Sequence, residues 1–126
     1  MKAGIAATVT LIAALGCGEA AAKTTGNELL NYCQTMIRVM DNGTTTQSLE
    51  EAFNAGQCLG FVSGVRNASE LSLVPEPIRS CTPQSATMGQ LARVITKYLK
   101  DNPSELNLDQ TFLAMLALKG AYPCKT

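Results

Sequence analysis

Apolar residues recur along this chain at intervals of three and four, and strand-like alternation is negligible. The first such stretch predicts a helix over about residues 27–40. Leu29, Cys33, Met36, Ile37 and Met40 share one face, while Asn31, Gln34, Thr35 and Arg38 fall elsewhere. The segment "DNGTTTQ" (41–47) ends it with Gly43 and the turn formers Asp41 and Asn42.

A second helix opens on Ser48, with Glu51 placed to complete a capping box, and should reach about Leu71. Gly56, Gly60 and Gly64 recur every four residues within it. Each costs about 1 kcal/mol of helix propensity relative to Ala. Either the glycines mark a loop, or close helix packing offsets their cost. On a helical wheel they lie opposite Cys58, which Ala55, Phe61, Val62 and Val65 flank. The packing reading makes this the central helix, covered on two sides.

Pro75, Pro77 and Pro83 forbid a helix through "LSLVPEPIRSCTPQSAT" (71–87), which is a connector. Thr87 and Gln90 then cap a third helix, whose stripe is Leu91, Val94, Ile95, Tyr98 and Leu99. Asn102 and Pro103 stop it. A fourth is expected over about 108–119, with Asn107 and Gln110 at its start and Gly120 and Pro123 beyond its end. Its inward residues are expected to be Leu108, Phe112, Met115 and Leu116. The fold class is all-α: a small disulfide-stapled helical bundle of about four helices.

The segment before these helices is of another kind. Lys2 precedes an apolar stretch too short to span a bilayer comfortably, and Ala20 and Ala22 form a small-x-small cleavage pattern. Residues 1–22 therefore read as a secretory signal peptide and 23–126 as the mature helical domain. Gly16 before Cys17 leaves a lipoprotein signal open, although Ala14 stands where a larger aliphatic is usual.

Cleavage would remove Cys17 and leave Cys33, Cys58, Cys81 and Cys124, an even set routed out of the reducing cytosol. Close C-x-x-C pairs, usual in zinc sites, are missing. Four cysteines allow three pairings. At 1.5 Å per residue, Cys33 and Cys58 lie at similar depth in the first helical hairpin. Cys81 lies just before one arm of the second hairpin, and Cys124 just after the other. Cys33–Cys58 and Cys81–Cys124 are the expected bonds.

Charge narrows the partners. Ten Lys and Arg balance ten Asp and Glu, which argues against nucleic acid or an anionic membrane. Histidine is absent, removing His-based acid–base chemistry, triads and metal sites. With the cysteines assigned to structure, no nucleophile remains. Glu50 and Glu51 point about 100° apart on a helix and make no acid–base pair. Asp41 alone offers too few oxygens for calcium. Asn42-Gly43-Thr44 and Asn67-Ala68-Ser69 match the glycosylation pattern, which carries little weight in a bacterial chain or inside a helix. Met36, Met40 and Met115 could line a ligand pocket, but methionines at helical spacing are more often core. The sequence thus suggests neither an enzyme nor a cofactor.

What remains is the connector. Leu73, Val74, Pro75, Glu76, Pro77, Ile78 and Arg79 combine apolar and charged residues on a proline-stiffened backbone anchored at Cys81. A stiff loop loses little entropy on binding a partner. The alternative is an ordinary connector whose apolar residues cover the bundle.

Five stretches together carry a resemblance: "LLNYC" (29–33), "CLGFVSGV" (58–65), "CTP" (81–83), "QLARVITKYLKDNP" (90–103) and "ALKGAYPC" (117–124). In their order and their cysteines they resemble the Rap/Tai family of type VI secretion immunity proteins, over nearly the whole mature chain. The resemblance implies a periplasmic helical protein, not an enzyme and without a cofactor. Such a protein binds a cell-wall amidase effector from sister cells and blocks its active site sterically. It also implies a homodimer in many members, and inhibition through a protruding loop. The matched motifs are scaffold positions, so the choice of loop 73–79 rests on the reading above. The second functional reading is a general periplasmic helical binding or chaperone-like protein without a toxin partner.

Overall fold

Thr25 begins the first helix. In the computed structural model its side chain caps the N-terminus, and the Glu28 carboxylate accepts from the Thr25 backbone N–H at 2.8 Å. The hydroxyl of Thr25 also donates to Glu28, and this bond above all holds the Glu28 carboxyl below its ordinary range. The cap is therefore complete above the ordinary carboxylate pKa and is lost as pH falls through the lowered one. The structure describes residues 23–43 and 45–125. The expected signal peptide, with Cys17, lies outside them.

Four helices follow: α1 (Gly26–Asp41), α2 (Leu49–Glu70), α3 (Met88–Asp101) and α4 (Gln110–Ala121). Single 3-10 turns at Glu76–Ile78 and Pro103–Glu105 break the last two connections. Among the described residues there is no strand, only isolated antiparallel bridges pairing Thr25 with Asp109 and Ser80 with Pro123. The fold is the disulfide-stapled all-α bundle expected, with Cys33–Cys58 and Cys81–Cys124 as its bonds, each at a Cα separation of 4.9 Å.

Leucines and one isoleucine make most of the core: Leu29, Leu91, Ile95, Leu99, Leu113 and Leu118 are fully buried. With almost no aromatic bulk, the Cys33–Cys58 disulfide fills part of the same interior. α1 packs most extensively against α2 and then against α3, and α3 in turn packs against α4 and α2. The start of α1 is fixed by Gly26, whose N–H donates to Leu108 O at 3.0 Å. A Cβ at Gly26 would lie 2.5 Å from Leu113 Cδ1 and 3.2 Å from the Leu106 backbone, so a larger residue there would force the buried Leu113 to shift.

Three expectations are corrected. α2 is continuous through its glycines but is not covered on two sides: Gly56, Gly60 and Gly64 are exposed, and a Cβ at any of them would meet nothing within 4 Å. Phe53 and Leu59 are exposed alongside them. α4 begins at Gln110, later than expected, because Asp109 caps it by accepting from Thr111 and Phe112 N–H. Its inward residues are Leu113, Ala114, Ala117 and Leu118, whereas Leu108 and Phe112 are exposed and Met115 and Leu116 half-buried. α4 is apolar on nearly every side, so periodicity alone left its rotation undetermined. In α1, Met40 is exposed and Val39 and Thr35 are buried instead. The Thr35 hydroxyl is satisfied by donating to Asn31 O at 2.9 Å, a local bond that lets it enter the interior.

The glycines make the fold testable. Gly60→Ala should raise stability by about 0.5–1 kcal/mol, because the site is helical and open. Gly26→Ala should lower it by about 1–3 kcal/mol through overpacking. Urea unfolding midpoints followed by circular dichroism read both, and the opposite signs are the check.

Candidate partner-binding site

The loop between α2 and α3 is built by the way α2 ends. Leu71 N–H donates to Asn67 O, Ser72 N–H to Ser69 O at 3.1 Å, and Leu73 N–H to Ala68 O at 2.9 Å. This is a Schellman termination, and it requires a left-handed residue, usually glycine. Here that residue is Ser72, with φ of 57°. A non-glycine residue in this region costs roughly 1–2 kcal/mol.

The sharp turn throws Leu71 and Leu73 outward, at 70% and 73% exposure. Val74 turns the other way and is buried at 2% exposure, plugging the loop into the bundle. Pro75 then leads into the 3-10 turn, with Ile78 N–H on Pro75 O at 3.0 Å and Arg79 N–H on Glu76 O at 3.2 Å.

An irregular segment of this length leaves backbone carbonyls without helical partners. Three cationic side chains meet them. Arg79 donates through Nε to Val74 O at 2.9 Å and through Nη2 to Ser72 O at 3.5 Å. Lys119 of α4 donates to Pro77 O. Arg66 of α2 donates to Pro83 O, Gln84 O and Ala86 O at 3.3, 3.1 and 2.8 Å, and pairs with Glu70 at 3.0 Å. Beyond Arg79, Cys81 N–H donates to Tyr122 O at 2.8 Å, and the Cys81–Cys124 bond closes the stem.

Of the residues singled out in the sequence, Leu73, Pro75, Glu76 and Pro77 form the exposed crest. Ile78 and Arg79 are half-buried and Val74 is buried. Because the Arg79 charge is used inside the loop, Glu76 is the charge the crest displays. Behind it a cleft of about 440 Å³ is lined by Arg66, Glu70, Glu76, Arg79, Cys81 and Cys124, among others. Stiff backbone carrying outward apolar side chains is suited to recognition.

Sequence reasoning missed Leu71, Ser72, Arg66 and Lys119. Leu71 reads as the end of a helical pattern, and its exposure depends on the left-handed turn after it. Lys119 lies 42 residues from Pro77, and no local pattern announces such a contact. The methionine pocket takes a different form. Met36 and Met40, with Met88, line an apolar groove of about 400 Å³ between α1, α2 and α3, and Met115 is not part of it. Among the described residues no group of His, Cys, Asp and Glu side chains could hold a metal ion, and no helix is long and apolar enough to cross a membrane.

The family model of Rap1a immunity proteins matches residues 25–124, which spans all four helices and both disulfides. No curated protein and no solved structure matches the chain.

The bracing predicts separable effects. Arg79→Ala should leave helical content unchanged while amides of residues 73–79 exchange at least roughly tenfold faster. Ser72→Gly should instead raise stability by about 1 kcal/mol. Hydrogen exchange with mass spectrometry reads the first and urea unfolding the second.

Proposed function

We propose a function from one premise: this chain belongs to the Rap1a immunity protein family. Membership implies an immunity role exercised by binding an effector. The finer reading is that the protein is exported through its signal peptide to the periplasm. There it binds a peptidoglycan amidase delivered by type VI secretion from sister cells and inhibits it sterically, without catalysis of its own.

The observation that carries the steric reading is the loop at 71–79. Its backbone is held at both ends and in the middle, and its crest presents Leu71 and Leu73 to solvent. A loop already in one shape meets a cleft at little conformational cost, so contact area converts more fully into affinity. Exposed leucines on such a loop can bury themselves in a partner's groove, while Glu76 sets the charge it meets. A homodimer, as the family resemblance implies, would leave two such crests per assembly. The uncharged outer face of α2, with Phe53, Leu59 and the glycine stripe, is free to serve that pairing.

Co-purification with candidate peptidoglycan amidases, followed by a cell-wall cleavage assay, tests the role. Molar excess of the protein should abolish cleavage by its cognate amidase. Leu73→Asp should weaken the complex at least roughly tenfold, about 1.4 kcal/mol, with helical content unchanged. A complex insensitive to Leu73→Asp and Leu71→Asp moves the contact to residues 41–47 or another surface. Failure to bind or inhibit any amidase while binding unrelated unfolded chains would favour the chaperone-like reading.

A further inference from the structure

The two disulfides sit in opposite surroundings. Cys33 and Cys58 are 0% exposed, inside the packed core. Cys81 and Cys124 are both exposed and line the cleft behind the loop. Thiol–disulfide exchange requires a thiolate to reach a sulfur. For Cys33–Cys58 that means opening the bundle, whereas Cys81–Cys124 is reachable in the folded protein.

The reachable bond is also the covalent tie between the loop and the bundle. It joins the loop's C-terminal stem to the segment just beyond α4, and Cys124 Sγ lies 3.8 Å from Arg79 O. Without it, Cys81 N–H to Tyr122 O, the Ser80–Pro123 bridge and Lys119 on Pro77 O remain. The first two engage Tyr122 and Pro123, just beyond the end of α4, where no helix holds the backbone.

We infer that Cys81–Cys124 is a redox latch on the partner-facing loop, with Cys33–Cys58 as the permanent staple. The inference rests on the loop being the binding element, as proposed above. Closing the latch needs a disulfide oxidant. The thiolate of one cysteine attacks a sulfur of that oxidant to form a mixed disulfide, and the other cysteine's thiolate displaces the oxidant's remaining sulfur. Two electrons pass to the oxidant, which leaves as a dithiol after taking up the two protons that Cys81 and Cys124 lose. A dithiol reductant reverses each step. A chain still in a reducing compartment thus carries a loose loop, and the binding surface is completed only where an oxidant is present.

The test uses the folded, oxidised protein, treated with limiting dithiothreitol and quenched with iodoacetamide. Peptide mapping should find Cys81 and Cys124 labelled at least roughly tenfold sooner than Cys33 and Cys58. In the singly reduced protein, amides of residues 72–81 should exchange at least roughly tenfold faster, while α1 and α3 keep their protection. The Cys81→Ser/Cys124→Ser double variant should reproduce this without reductant. Affinity for the amidase captured above should fall at least roughly tenfold in both forms. Equal labelling of all four cysteines, or unchanged exchange in the loop, overturns the latch. So does a loosened loop with unchanged affinity where Leu73→Asp does weaken binding. If neither latch opening nor Leu73→Asp alters affinity, the functional reading of the loop has failed, and the latch's regulatory role fails with it.

Discussion

A long stretch of chain without regular secondary structure must find hydrogen-bond partners for its peptide groups, and that constraint shapes the segment between α2 and α3 of this protein. Between α2 and α3, prolines at 75, 77 and 83 remove donors and forbid a helix, leaving carbonyls that no ladder satisfies. Arg79, Lys119 and Arg66 fill that need, each from a different element. Charge-assisted bonds to backbone oxygens are stronger than neutral ones. They convert a segment that would otherwise wander into one with a single shape. The basic residues that an isolated reading of charge would offer to a partner are thereby spent inside the molecule.

The rest of the bundle serves as the frame for that loop. Leu29, Ile95 and Leu113 supply the apolar interior, and the Cys33–Cys58 bond compensates for a core with little aromatic mass. On the chain-entropy model, bonds spanning 25 and 43 residues contribute about 3.5 and about 4 kcal/mol. That is a large share of the stability of a domain this small. The frame also carries local costs. Ser72 occupies a conformation suited to glycine, and three glycines on the exposed face of α2 lower its helix propensity without admitting any neighbour.

How much could be read in advance differed from element to element. Ser48 before Glu51 and Thr87 before Gln90 are local signals, and α2 and α3 begin where they say. α4 resisted because Leu113, Met115, Leu116 and Leu118 follow one another so closely that the apolar pattern singles out no one face. The glycine stripe misled for a different reason. Small residues at helical spacing show that a close approach is sterically allowed, and nothing in one chain says whether a neighbour takes it. The candidate site was half legible. Pro75, Pro77 and Cys81 marked a stiff loop, while the inward turn of Val74 and the outward turn of Leu71 depend on the backbone reversal at Ser72.

By itself the sequence determined the helical class, the four helices and the pairing of the four cysteines. Periodicity and caps are properties of neighbouring residues, and the cysteine pairing followed from them through the lengths of two helical hairpins. Only the tertiary structure decided how closely each pair of helices packs, which face of α4 is buried, and which side chains of the loop reach solvent. Those outcomes turn on contacts between residues far apart in the chain, such as Gly26 with Leu113 and Lys119 with Pro77. Their energies come into being only once the bundle has closed around them.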